Sequence, residues 1–225
     1  MCGRFIQITD PEKITTSFSD LEIDVAALTE YSPHYNIAPS QNIFTVLNTP
    51  TPKLTFTHWG LIPFWAKDKT IGNKMINARA ETLLTKPSFR EPFHKRRCII
   101  FADGFYEWKG TGEGKAPFFI RPINRAPFGF AGLWGKWIDK HTGQDILSST
   151  IITTHANAVV AEIHNRMPVI LSPDHYRVWL RADPVSDNTL MSFLKPYPAQ
   201  EMEKYEISKV VNNPRNDSVE CIRPV

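Results

Sequence analysis

The chain has 225 residues, is 42% hydrophobic, and sets 26 Lys and Arg against 23 Asp and Glu for a net charge of +3. That length supports one sizeable core, so a single domain over residues 1–225 is the expectation; the charge is too small to establish a nucleic-acid partner and does not exclude one, because a local basic patch matters more than the total. The apolar stretches are short and broken by charges or prolines, which excludes a membrane-spanning helix, and no basic region followed by an apolar run marks a signal peptide.

In chain order, "CGRFIQI" reads as a strand and "DPEKITTSFSDL" as a short helix with Asp10 as N-cap and Pro11 at its first position. "NIFTVL" and "KLTFTHW" are strands joined by a Pro-rich turn. Residues 60–77 show no clear period and mix aromatics, lysines and glycine, as a functional surface loop does. "ARAETLL" reads as a short helix. "CIIFADGFYEWKG", "APFFIRP", "PFGFAGLWGKW" and "ILSSTIITT" are four strand-like runs, rich in β-branched and aromatic residues. "NAVVAEIH" is a short helix before "MPVIL"; helices start at "SPDHYRVWL" and "SDNTLMSFL"; "EKYEISKVVN" returns as a strand. The 18 prolines are about 8% of the chain, above the usual ~5%. Together these predict an α+β fold, a curved, mostly antiparallel β-sheet or barrel with short flanking helices.

Cys2, Cys98 and Cys221 make an odd count without C-x-x-C spacing, which argues against a disulfide framework and a zinc site and fits a reducing cytosol. Cys98, in "RRCIIFA", and Cys221 read as buried small hydrophobes. Cys2 is different. If the preceding methionine stays, it is an ordinary thiol beside a chain end. If the methionine is removed, the residue carries an α-amine and a thiol on adjacent carbons.

Four places hold polar residues that a plain core does not require: Cys2 with Arg4; "MINARAET", with Asn77, Arg79 and Glu81; "DGFYEW", where Glu107 lies among aromatics; and "IHNRMP", with His164 and Arg166. Each has a plain structural alternative. Glu107 on the polar side of a strand would face solvent, His164 would cap a helix C-terminus, and Arg79 would be a surface arginine. Glycine-rich phosphate loops, H-E-x-x-H and G-x-S-x-G are missing, which removes several common enzyme classes.

Taken together, "MCGRF", "YNIAPSQ", "WGLIPFW", "INARAET", "FADGFYEWK" and "IHNRMPVIL" resemble the SRAP family, and the similarity runs from Cys2 to the final "RPV". The resemblance implies the SRAP fold and an activity on DNA: binding single-stranded DNA at abasic sites and crosslinking to them. A small residue after Met1 permits removal of that methionine. The resulting 1,2-aminothiol condenses with the aldehyde of a ring-opened abasic sugar in lyase-like Schiff-base chemistry, and the thiol closes a thiazolidine; closure is intramolecular and so has a high effective molarity. No metal or organic cofactor is needed.

The resemblance also implies the catalytic set Cys2, Glu107, His164 and Asn77. Glu107 would move protons, with a pKa raised by partial desolvation between Phe105, Tyr106 and Trp108. His164 would hydrogen-bond the sugar oxygen that departs on ring opening, and Asn77 would position the ribose or the terminal amine. The implied DNA-binding set comprises Arg4, Asn36, Trp59, Phe64, Trp65, Lys74, Arg79, Thr153 and Arg166. Arg79 and Arg4 would hold phosphates, while Trp59, Trp65 and Phe64 would stack on unpaired bases. Lys74, with Lys67 and Lys69, would follow the backbone, and Asn36 and Thr153 carry no individual role. A cytoplasmic monomer, nucleoid-associated if bacterial, is expected.

Two other functions use the same residues. A cysteine-type (auto)peptidase or N-terminal-nucleophile hydrolase would attack a carbonyl with Cys2, taking His164 or the α-amine as base and Glu107 as orienting group. A non-catalytic single-strand binding module would leave Cys2 incidental. The arginines and aromatics of the Trp59–Arg79 stretch favour DNA over a peptide cleft.

Overall fold

A computed structural model describes residues 2–16, 22–112 and 114–225. The strands are β1 (Phe5–Gln7), β2 (His34–Ile37), β3 (Asn42–Leu47), β4 (Lys53–Trp59), β5 (Asn77–Arg79), β6 (Arg97–Ala102) and β7 (Gly104–Thr111), then β8 (Gly114–Pro122), β9 (Phe128–Ile138), β10 (Asp145–His155), β11 (Arg166–Pro168), β12 (Ile170–Leu171) and β13 (Met202–Glu206). The helices are short: α1 (Pro11–Thr16), α2 (Pro87–Lys95), α3 (Ala158–Ala161), α4 (Pro173–Trp179) and α5 (Asp187–Ser192).

Strands β10, β4, β3, β6 and β9 form a closed ring, because β10 pairs with β4 on one side and with β9 on the other. All its pairings are antiparallel except β10 with β4. β11 and β12 extend this sheet, and β5 lies parallel to β10. A second, fully antiparallel sheet runs β13-β8-β7-β1-β2. This is the α+β, mostly antiparallel barrel architecture expected from the strand-like runs.

The barrel wall is buried on both faces. Ile99, Ala131 and Ile152 point into one apolar cluster with Phe93 of α2 and Trp179 of α4. Their neighbours Ile100, Phe130 and Ile151 point into another with Phe5, Trp59 and Phe105. Burial on both faces explains why β6, β9 and β10 read as apolar runs rather than alternations. Arg97, buried at the start of β6, donates to the carbonyls of Phe93, His94, Trp179 and Arg181. It thereby satisfies carbonyls that the ends of α2 and α4 leave without helical partners.

Several expectations are corrected. "CIIFADGFYEWKG" is two strands in two different sheets, β6 and β7. The break falls at Asp103, whose carboxylate accepts from the backbone N–H of Ile8 and Thr9 and so turns the chain against β1. "ARAETLL" contributes only a single 3-10 turn at Ala80–Thr82, because Asn77–Arg79 are drawn into pairing with β10. "EKYEISKVVN" is strand only to Glu206; the Ser208 side chain accepts from Val210 N–H and starts a 3-10 turn at Lys209–Asn212. The helix after Asp10 spans Pro11–Thr16, and the rest of that expectation lies outside the described residues. α2 and β2 went unread in the sequence.

The 60–77 loop is pinned at its base. Gly60 has φ +140, and a Cβ there would lie 2.6 Å from the carbonyl oxygen of Gly72. Only glycine permits both that backbone conformation and that approach.

Candidate active site

The N-terminal segment is placed by backbone pairing. Phe5 lies opposite Phe105, and Tyr106 N–H donates to the carbonyl of Arg4 at 3.0 Å. Residues 2–4 therefore run beside the stretch that carries Glu107. Cys2 and Glu107 are both buried, at 0% and 4% exposure. Burial pushes the Cys2 thiol well above its ordinary range, and the nearby Glu107 carboxylate adds to that shift. Burial likewise raises the Glu107 carboxyl, against which nearby positive charge, Lys115 included, favours the ionised form. The expected desolvation of Glu107 is thus present, and the solvent-facing alternative is not.

The other half of the site is organised on β10. Asn77 pairs with Ile151 and Arg79 with Thr153, while Thr153 also faces Pro168 and His155 faces Arg166 across β11. This alignment brings "INARAET" and "IHNRMP" to neighbouring positions. The Asn77 Nδ2 donates to the Cys2 carbonyl at 2.7 Å, joining the two halves. Asn77 Oδ1 is buried with no hydrogen-bond partner among the described residues. His164, half-buried after α3, accepts at Nδ1 from the Arg166 backbone N–H at 2.9 Å.

The residues grouped for DNA contact divide. Phe64 (68% exposed), Trp65 (50%), Lys74 and Arg79 reach solvent. Trp59 does not: it is fully buried, edge-on to Phe5 at 4.9 Å, with Nε1 donating to the Ile76 carbonyl. Base stacking by Trp59 is corrected on that ground, since both ring faces are taken by the core around Cys2. Asn36 is also corrected as a direct contact. It is 2% exposed, donates to the carbonyls of Val211, Asn213 and Asn216, and accepts from Arg4. Asn36 ties the C-terminal segment to β2 and orients Arg4, whose guanidinium also lies 5.7 Å over Trp108. Thr153 is fully buried, and its carbonyl and hydroxyl both accept from Arg166. Arg166 itself is engaged by Glu81 through both terminal guanidinium nitrogens.

Sequence reading assigned no role to Glu81 and passed over His155, whose Nε2 lies 3.2 Å from the same Glu81 oxygen. It also passed over the basic residues on the Glu107 side. Lys115 lies close enough to influence Glu107, Lys109 influences Glu162, and Lys204 bonds Glu162 and the Val159 carbonyl. The "WKGTGEGK" stretch was a legible signal, two lysines flanking a glycine-rich hairpin tip. Among the described residues no cluster of His, Cys, Asp and Glu is arranged to hold a metal ion. No helix among them is long and apolar enough to cross a membrane. A cleft of about 640 Å3 between the start of β9, α4 and residues 192–198 contains none of the site residues.

The family model described as SOS response associated peptidase (SRAP) matches residues 1–214. The chain belongs to the SRAP family. Among SRAP relatives, it is 47% identical to the abasic site processing protein YoaM of Bacillus subtilis (strain 168), over 99% of this chain and 97% of that one. It is 31% identical to the abasic site processing protein YedK of Escherichia coli (strain K12), over the whole of both chains. The abasic site processing protein HMCES of Gallus gallus is 32% identical, over 87% of this chain and 67% of its own. The fold is similar to the crystal structure of a protein from Bacteroides thetaiotaomicron, with a TM-score of 0.88 at 28% identity over the whole of both chains.

Proposed function

We propose that this SRAP protein processes abasic sites by binding single-stranded DNA and joining Cys2 to the lesion as a thiazolidine. The reading rests on its relatives being named abasic site processing proteins. The observation that carries it is the convergence of Cys2, Glu107 and Asn77. A thiol next to the chain end is buried, a carboxyl group of raised pKa lies within its electrostatic reach, and a side-chain amide holds its carbonyl.

With Met1 attached, the Cys2 nitrogen is an amide; the reactive form has lost Met1. The freed amine adds to the C1′ aldehyde of the ring-opened sugar, and loss of one water leaves a Schiff base. The Cys2 sulfur then adds to the carbon of the protonated Schiff base; the thiol proton passes to Glu107, and the ring nitrogen keeps one of the two protons of the original amine. The net change is one water released, with no oxidation or reduction. Glu107, protonated more readily than an exposed glutamate, gives a proton to the departing hydroxyl and takes one from the thiol. His164 donates to the sugar oxygen released on ring opening. Asn77 Oδ1, buried without a donor among the described residues, accepts from the new amine. Arg79 and Arg4 hold flanking phosphates, Phe64 and Trp65 stack on unpaired bases, and Lys74 follows the backbone.

The test is incubation of Met1-processed protein with abasic single-stranded DNA, followed by a denaturing gel. A shifted band is expected with abasic DNA and not with intact DNA. Cys2→Ala and a protein with verified intact Met1 should both lose the heat-stable adduct, because each lacks one of the two ring atoms. A hydrolase that uses only the thiol would tolerate the extension, and a plain binding module would give no band at all. No shifted band from verified processed protein would falsify the proposal.

A further inference from the structure

Glu81 follows β5 in a 3-10 turn and collects partners from two other strands. Its two oxygens accept from Arg166 Nη1 at 2.6 Å and Nη2 at 3.0 Å, a two-point geometry that fixes the plane of the guanidinium. Arg166 Nη2 also donates to the Thr153 carbonyl at 2.7 Å, and His155 Nε2 approaches the Glu81 carboxylate at 3.2 Å. The Arg166 side chain is only 11% exposed, so it is locked between β5, β10 and β11. The partnership holds the Glu81 carboxyl below its ordinary range, the Arg166 hydrogen bonds being the main cause.

What Arg166 does with its backbone matters as much. Its N–H donates to His164 Nδ1 at 2.9 Å. A ring nitrogen that accepts a hydrogen bond carries no proton, so the neutral imidazole has its proton on Nε2. Protonation of Nδ1 would set two donors against each other, with the Arg166 carbonyl at 3.3 Å as the alternative acceptor. Glu107 on β7 lies within electrostatic reach of the ring.

From this geometry we infer that Glu81 is a positioning residue: by clamping Arg166 it fixes the backbone N–H that holds His164 as the neutral Nε2–H tautomer. The consequence for the reaction rests on the function proposed above. His164 then serves as a neutral hydrogen-bond donor to the sugar ring oxygen and transfers no proton of its own. Proton exchange falls to Glu107. Glu81 touches Arg166 and not the imidazole, and it orients the ring through that arginine as carboxylates bonded to metal-bound histidines orient theirs.

The first test needs no DNA. Long-range 1H–15N spectra at neutral pH, assigned by the signals lost in His164→Gln, report which ring nitrogen carries the proton. Wild-type His164 should show Nε2 protonated and Nδ1 bare. Glu81→Gln, which keeps the side-chain shape, should show a mixture of tautomers and crosslink about tenfold more slowly, the scale of one net hydrogen bond. Its affinity for intact single-stranded DNA should be unchanged, and Glu81→Asp should restore part of both readouts. A purely structural role would lower the melting temperature and leave the tautomer alone. The inference is overturned if wild-type His164 carries its proton on Nδ1 or on both nitrogens, or if Glu81→Gln keeps the wild-type tautomer and rate. If wild-type protein does not crosslink at all, the proposed function fails while the tautomer comparison of wild type with Glu81→Gln still decides this point; if Glu81→Gln does not fold, Glu81→Asp, which should show a smaller admixture of the other tautomer, takes its place, and an unchanged tautomer there overturns the inference.

Discussion

Asn77 donates its side-chain N–H to the carbonyl oxygen of Cys2 across 75 positions of sequence. The bond fixes the one backbone unit whose far end carries the proposed nucleophile. Asn77→Ala should therefore leave non-covalent DNA affinity nearly unchanged and slow crosslinking about ten- to a hundredfold, the equivalent of about 1–3 kcal/mol for an orphaned polar group. Single-turnover gel kinetics beside binding to intact DNA measure the two effects separately. Equal losses in both would mean that Asn77 acts in binding.

Glu107 carries a carboxyl raised by burial, so its ionisation opposes folding. The sign follows from linkage. A raised folded-state pKa gives stability that is complete below the unfolded pKa and is lost as pH rises through the folded value. Glu107→Gln should thus melt above wild type at neutral pH, with the gap narrowing as the solution is acidified below the ordinary carboxylate range. The same variant should crosslink about a hundredfold more slowly, the scale of a positioned acid–base group. Melting curves across pH and adduct kinetics together test this opposition of stability and activity.

Trp59 and Trp65 should separate cleanly. Trp59→Ala removes a fully buried ring from the Cys2 core and should cost about 3–5 kcal/mol of stability by denaturant unfolding. Trp65→Ala, at a half-exposed ring, should change stability by less than about 0.5 kcal/mol. It should instead weaken single-strand binding by about 1–3 kcal/mol, the worth of one stacked base. An abasic site inside a continuous duplex should react poorly, because its neighbours are already paired. Equal yields from duplex and single-stranded substrates would remove stacking from the account.

Arg79 is exposed beside the site and is proposed to meet a phosphate. Arg79→Ala should lower affinity on every sequence alike and reduce the slope of log affinity against log salt by about 0.7, as for one single-strand phosphate contact. An unchanged slope takes Arg79 off the DNA path.

Much of this protein was legible in one dimension. Patterns of β-branched and aromatic residues located β3, β4, β8, β9 and β10 almost to their ends, because buried strands need those side chains whatever their partners. The chemistry proposed for Cys2 also comes from the sequence alone, since the amine and the thiol belong to one residue. So was the family, because its motifs are local strings. Tertiary structure alone decided the rest. Trp59 and Trp65 are the same residue type six positions apart, yet one is sealed against Phe5 and the other faces water. No local pattern distinguishes them, because burial depends on neighbours brought from distant strands. The break at Asp103 depends on the N–H groups of Ile8 and Thr9, and the role of Glu81 depends on an arginine 85 positions away. A local sequence pattern records what a residue could satisfy; only the closed barrel, by setting β5 and β11 on the same β10, selects the partner it does satisfy.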